Sequence, residues 1–168
     1  MLSQRPVDLE TDQEFILDLG CMGSYESLPG WYRTRSYREY HDMWFNSTLP
    51  KLFLGDLAAS LLEERTVADI WLEDEQRAGF LWMTFGDSPH GLVIATLHDL
   101  IVQPGHQRRG IGKMMLQSAN ALALERNAGI LRVETSVENP ASQAIYQREG
   151  FTVARLLYEK VLGKPLGE

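Results

Sequence analysis

A single cysteine, Cys21, is all the thiol this chain possesses, so a disulfide within the chain and a cysteine-built zinc cage are both excluded. Basic residues are scarce: 16 Lys and Arg stand against 23 Asp and Glu, a net charge of −7. Nucleic-acid binders neutralise phosphates with cations, so no nucleic-acid partner is expected. No apolar run approaches the roughly 20 residues that cross a bilayer, and no membrane association is expected. The opening MLSQRPVDLE has no apolar core, so the expectation is no secretory leader and a cytoplasmic location. His41, His90 and His106 have no partners at ligand spacing, and no metal site is expected.

What the chain does have is enough for a core. Its 168 residues, 44% hydrophobic, fit one domain over 1–168. Charge is unevenly placed: residues 1–75 hold 6 basic against 15 acidic side chains, and 76–168 hold 10 against 8. That asymmetry suits a cationic partner for the first part and an anionic one for the second, or simply two solvated faces.

Periodicity predicts a short strand at 3–7, then a helix opened by Thr11 and Glu14 and running to Met22. Gly23 to Gly30 reads as a loop. A second helix begins near Ser36, with Tyr37, Tyr40 and Trp44 on one stripe, and a third spans 51–65 after Pro50. Residues 66–85 read as a hairpin around Glu73 to Gln76. GLVIATLHDLIV is a strand stopped before Pro104, followed by a helix from Ile111 to Asn127 that Ala128-Gly129 closes. ILRVETSV is the next strand, ending near Val137. Asn139-Pro140 opens a helix that stops at Gly150, and FTVARLLYEKV is a final strand. The fold class is α/β, more strictly mixed α+β. Residues 1–64 form a helical region and 65–160 a mixed, mostly antiparallel sheet with one parallel strand pair.

The stretch QPGHQRRGIGKMM carries the chemistry. It leaves a strand and enters a helix, where unpaired amides and the positive end of the helix dipole favour an anion. Gly110 and Gly112 let a ligand approach the backbone, and Arg108, Arg109 and Lys113 add charge, a combination suited to a diphosphate. A Walker A loop would need lysine at Ile111, and a dinucleotide fingerprint would need glycine at Met115.

Gln107, Gly110 and Gly112 after the strand end Leu100-Ile101-Val102, with NPASQAIYQREGF downstream, resemble the two signature motifs of the GNAT superfamily of acyl-CoA-dependent N-acyltransferases. The likeness is good over residues 65–160. It implies a sheet whose parallel strands splay to admit acetyl-CoA as cosubstrate. The backbone of Leu100, Ile101 and Val102 would hold the pantetheine arm. The turn Gln107, Arg108, Arg109, Gly110, Ile111, Gly112 and Lys113 would hold the pyrophosphate, with Asn139 as a further contact and also a helix N-cap. Tyr146 would protonate the leaving thiolate. Glu134 and His98 are the two candidate bases, one on each splayed strand; Asp99 is expected on the opposite face from His98, in a structural role. Tyr25, Glu26, Trp31, Tyr32, Tyr37, Tyr40 and Trp44 are candidates for the acceptor site, although the stripe of Tyr37, Tyr40 and Trp44 reads better as helix core.

The implied activity is transfer of an acetyl group to a primary amine, of a small molecule or a peptide, by direct attack within a ternary complex. The alternative is a member that binds acyl-CoA without turnover, as a sensor or structural subunit. Oligomeric state stays open, a homodimer included.

Overall fold

The chain begins with β1 (Leu2–Pro6), α1 (Leu9–Glu26), α2 (Tyr37–Phe45) and α3 (Leu49–Leu61). It continues through β2 (Thr66–Glu73), β3 (Gln76–Asp87), β4 (Val93–Val102), α4 (Ile111–Glu125), β5 (Ala128–Val133) and α5 (Pro140–Arg148). These elements come from a computed structural model, which describes residues 1–30 and 32–162. The sheet order is β1-β2-β3-β4-β5, antiparallel through β4 and parallel between β4 and β5. This is the mixed sheet with one parallel pair that the sequence predicts.

Two apolar layers sandwich the sheet. Met83, Phe85, Ala95 and Leu97 meet Ile111, Met115, Leu116 and Ala119 of α4 on one face. Ile70, Phe80, Trp82 and Ile101 meet Ile16 and Leu19 of α1 and Leu57 of α3 on the other. Tyr40 and Trp44 pack with Leu17 and Cys21, so this part of the aromatic stripe is helix core, whereas Tyr37 stays exposed.

Local chemistry explains several boundaries. Asp8, rather than Thr11, caps α1: its carboxylate accepts from the Glu10 amide, and Thr11 only donates to it. That helix also continues through the expected loop at Gly23, to Glu26. Ser36 and Glu39 form the capping box of α2, and Pro50 sits in the first turn of α3, where a missing N–H costs nothing. Asp74 and Glu75, both at positive φ, reverse the hairpin.

Three expectations fail here. Asn127, at φ 58°, ends α4, and Ala128-Gly129 already belong to β5. That strand stops at Val133 instead of near Val137. Residues 151–162 form no strand.

One buried charge ties the first strand and helix to the sheet. Asp12 is fully buried, and Arg5 grips it with two hydrogen bonds of 2.7 Å. Arg77 Nε lies 2.9 Å from the same carboxylate, and the Asp8 amide donates to it at 3.0 Å. Burial opposes the charge, but Arg5 and the Asp8 amide outweigh it and hold the carboxyl below its usual range. Replacing Asp12 with Asn should destabilise the protein by about 3 kcal/mol, because a breached buried pair strands its partners. Equilibrium urea unfolding at pH 7 reads this directly. The wild-type advantage should vanish as the pH falls through the lowered carboxyl value.

Candidate functional site

The site arises where β4 and β5 part. Their parallel pairing runs from Val93 with Ala128 to Leu97 with Val133, while β4 stays paired to β3 as far as Val102. From His98 to Val102, therefore, β4 has no strand on its β5 side. Leu100, Ile101 and Val102 lie along this unpaired edge, with the Val102 carbonyl accepting from Gln107 Nε2 at 3.0 Å.

A bulge on β4 sets which side chains face where. Asp99 pairs with Trp82 but Leu97 pairs with Met83, so His98 is an extra residue without an opposite number. Before it, Ala95 and Leu97 point to the α4 layer; after it, Leu100 and Val102 do. His98 and Asp99 consequently share the α1–α3 face, against the expectation that strict alternation would separate them.

The two neighbours differ in environment. His98 lies over Trp82, ring centroids 4.7 Å apart, with Nε2 2.7 Å from the Thr84 hydroxyl. Burial lowers its pKa, so it is neutral at pH 7. Asp99 has no hydrogen-bonding or ion-pair partner among the described residues, and burial raises its carboxyl to about 6. A partly buried carboxylate without a donor is costly, which makes Asp99 a candidate functional residue that sequence reasoning placed in a structural role. The only signal for it in the sequence was its position beside His98.

Tyr146 comes from α5. Asn139 Oδ1 caps that helix by accepting from the Ser142 amide at 3.1 Å, the N-cap role expected of it. Tyr146 packs on the α4 layer and on Phe151, with ring centroids 5.5 Å apart. Burial raises the phenol pKa, and the Asp99 charge raises it further, which brings the two groups within electrostatic reach. Glu134 lies one residue beyond β5, exposed at the end of the slot.

Below the slot, the chain turns through Pro104–His106 into α4. Arg108 (φ 62°) and Gly110 (φ 83°) are both left-handed, and Gly110 caps α4 without a side-chain hydrogen bond. The amides of Ile111, Gly112 and Lys113 thus face outward with no capping group. A β-carbon at Gly110 would meet nothing within 4 Å, whereas one at Gly112 would lie 3.5 Å from Val102. Gly110 therefore faces the open approach, and Gly112 serves helix–strand packing. Arg108 and Lys113 make no ion pair among the described residues. Arg109 does: its guanidinium lies 3.0 Å from Glu73, which also takes His106 Nδ1 at 2.7 Å. Glu73, at the end of β2, thereby latches the turn; sequence reasoning had placed it only in a hairpin.

The acceptor side lies toward α1 and α2. Tyr25 stacks near Tyr37 and Tyr40, with Arg33 over its ring at 5.2 Å. Arg33 also donates to the carbonyls of Tyr25, Glu26 and Leu28, closing the end of α1. A β-carbon at Gly30 would come within 2.9 Å of Glu138 Oε1, so the loop after α1 touches the loop after β5. Tyr32 is exposed, and Trp31 lies outside the described residues. Among the described residues there is no group of three or more His, Cys, Asp or Glu able to hold a metal, and no helix is long and apolar enough to cross a membrane.

Comparison with known proteins gives this geometry a context. Residues 26–151, three quarters of the chain, match the sequence profile of the Acetyltransferase (GNAT) family. A streptothricin acetyltransferase of Streptomyces lavendulae is 44% identical over 62 residues, which are 36% of this chain and only 32% of that protein. In three dimensions the chain resembles a GCN5-related N-acetyltransferase from Ralstonia eutropha JMP134 (TM-score 0.71, 17% identity, covering 97% and 100% of the two chains). It also resembles the PaiA N-acetyltransferase of Thermoplasma acidophilum, solved in complex with coenzyme A (TM-score 0.69, 18% identity, 98% and 94%). At these identities the structural likeness speaks for the fold.

The latch makes a prediction of its own. Hydrogen bonding from His106 holds the Glu73 carboxyl below its usual range, so the latch is closed at neutral pH and opens as the pH falls through that lowered value. Glu73→Ala should speed amide exchange of residues 105–110 about tenfold while global unfolding stays nearly unchanged. Unaltered protection in that segment would show that the turn holds itself.

Proposed function

The chain belongs to the acetyltransferase (GNAT) family, and on that footing we propose that it transfers an acetyl group from acetyl-CoA to the primary amine of a cationic small molecule. The observation that carries the proposal is the secluded, donor-less carboxylate of Asp99, facing the slot within reach of Tyr146. Acetyl-CoA fits the slot on two grounds. The uncapped amides of Ile111, Gly112 and Lys113, with Arg108 and Lys113, suit a pyrophosphate, and the free β5-side edge of Leu100 to Val102 suits an extended amide-bearing arm. Asn139 sits at the head of α5 as a further contact. A small cationic acceptor suits the carboxylates of Asp99, Glu134 and Glu138 around the far end, and the streptothricin acetyltransferase similarity points the same way.

In the reaction the amine nitrogen attacks the thioester carbonyl carbon directly. Asp99 takes the nitrogen's proton as the C–N bond forms. The C–S bond then breaks, and the departing thiolate takes the proton of the Tyr146 phenol. The two steps are coupled by charge. Ionised Asp99 raises the phenol pKa and keeps its proton in place; once protonated, Asp99 no longer does so, and Tyr146 becomes a stronger acid as the thiolate leaves. Asp99 then returns its proton to the Tyr146 phenolate, restoring both groups. His98, neutral beside Asp99, and Glu134, exposed at the slot's end, pass to water the proton that the substrate ammonium loses before it attacks.

Two outcomes check this reading. Asp99→Asn should lower kcat about 10²–10³-fold and abolish an acidic limb near pH 6 in kcat/KM, with coenzyme A affinity by calorimetry unchanged. The sign is fixed: only ionised Asp99 accepts a proton, so the wild-type rate climbs with pH and levels above about 6. Folding disfavours that charge, so the same variant should be more stable than wild type at pH 7. An intact rate would move the base to His98 or Glu134, which His98→Gln and Glu134→Gln would then rank. Separately, Gly110→Val should weaken coenzyme A binding at least about tenfold in a folded protein, by blocking the approach and straining a φ of 83°. Equal affinity would contradict the phosphate cradle, and a panel of amines yielding no free thiol would leave a binding protein without turnover.

A further inference from the structure

The face of the sheet that carries His98 and Asp99 is covered only in part. Ile70, Phe80, Trp82 and Ile101 lie under α1 and α3, but the next row along the strands belongs to no core cluster. In that row Thr84, Thr96 and Arg132 stand opposite one another on β3, β4 and β5. Their neighbours fix which way they face. Ala95, Leu97, Leu131 and Val133 pack toward α4, so Thr96 and Arg132 between them point to the other side. Thr84 Oγ1, 2.7 Å from His98 Nε2, joins the row to the residues at the slot.

Arg132 is the exception among the partly buried arginines. Arg5 and Arg77 hold Asp12, and Arg33 donates to three carbonyls, whereas Arg132 has no hydrogen bond, ion pair or ring contact among the described residues. A guanidinium stays charged at any working pH, so its partial burial without an anion is a standing cost. Glu134, two residues on and exposed, makes no ion pair with it. The Thr96 hydroxyl opposite has no partner among the described residues either. Asp99 lies three residues further along β4, roughly 10 Å away.

We propose that Arg132 binds a free carboxylate of the acceptor, while the acceptor's reacting nitrogen lies at Asp99. This rests on the acetyl-transfer reading, because it gives the acceptor the same face of the sheet. A carboxylate matches the guanidinium fork with two parallel N–H···O bonds, and the Thr96 hydroxyl donates a third. A phosphate in that place brings about two negative charges against one cation, among Asp99, Glu134 and Glu138. The same three carboxylates outnumber Arg132, so an acceptor that balances the site carries more ammonium than carboxylate. The class that meets both demands is a small diamino monocarboxylic acid. One nitrogen is acetylated, the second ammonium faces Glu134 or Glu138, and the carboxylate docks on Arg132. Such a molecule is still a cation, yet one side chain tells it apart from a plain diamine.

The test reads binding apart from turnover. Calorimetry on the full chain saturated with coenzyme A compares diaminobutyrate, ornithine and lysine, each against its carboxamide and the matching diamine. At least one acid should bind about 10–100-fold more tightly than its carboxamide. Arg132→Gln should bring acid and carboxamide to within about twofold of each other. Arg132→Lys, which keeps the charge and loses the fork, should fall between the two. Neither variant removes a contact from the fold, so coenzyme A affinity should stay unchanged in both. The inference is overturned if none of the acids binds, if carboxamides or diamines bind as tightly, or if the preference survives Arg132→Gln. In those cases thiol release from acetyl-CoA with other amines would leave the acetyl-transfer reading standing. An Arg132-dependent preference with no thiol release would do the reverse, upholding the carboxylate site and removing the transfer.

Discussion

Everything chemical in this molecule depends on two strands that stop pairing. β4 and β5 are hydrogen-bonded only as far as Leu97 and Val133, and β4 then runs on for five residues with one side unclaimed. Backbone groups without partners are a liability in a core. Here the same strand leads through a short turn into the uncapped start of α4, so unpaired amides of a strand edge are followed in the chain by those of a helix start. The sheet tolerates the breach because β3 holds β4 firmly from the other side and α4 packs beneath it.

Much of this was readable from residue order. The strand–turn–helix passage around Gly110, the cap at Asn139 and the parallel pairing of β4 with β5 all follow from local signals of turn chemistry and periodicity. What escaped was non-local. A bulge is invisible to alternation, so Asp99 was assigned to the wrong face until the pairing of β4 with β3 fixed the register. Glu73 looked like a hairpin residue because nothing in its neighbourhood hints that His106 and Arg109 fold back onto it. The segment after Phe151 reads as a strand by composition, yet it pairs with no strand among the described residues.

The arrangement also shows how function is set against stability. Asp12 is fully buried and Asp99 partly so, but the first is saturated by two arginines and an amide while the second has no donor among the described residues. The first carboxylate holds a helix to a sheet. The second is left at a disadvantage that only a proton, or a cationic visitor, relieves. This contrast within one domain separates a satisfied charge from an unsatisfied one more clearly than burial alone.

The single additional residue at His98 has a consequence for how this family of sequences can diverge. It puts the two halves of β4 out of phase, so Leu97 and Leu100 both rest on α4 although two residues separate them. Adding a further residue there without widening the bulge would swing Asp99 and Ile101 into the aliphatic layer with Met115 and Leu116, and turn Leu100 out of it, whereas removing His98 would restore plain alternation with both leucines still on α4. A further insertion is therefore barred from this short span by geometry, while the exposed turn at Ser88–Gly91 can absorb one. A lengthened β4, more than a shortened one, should thus be the rare event in the history of this strand.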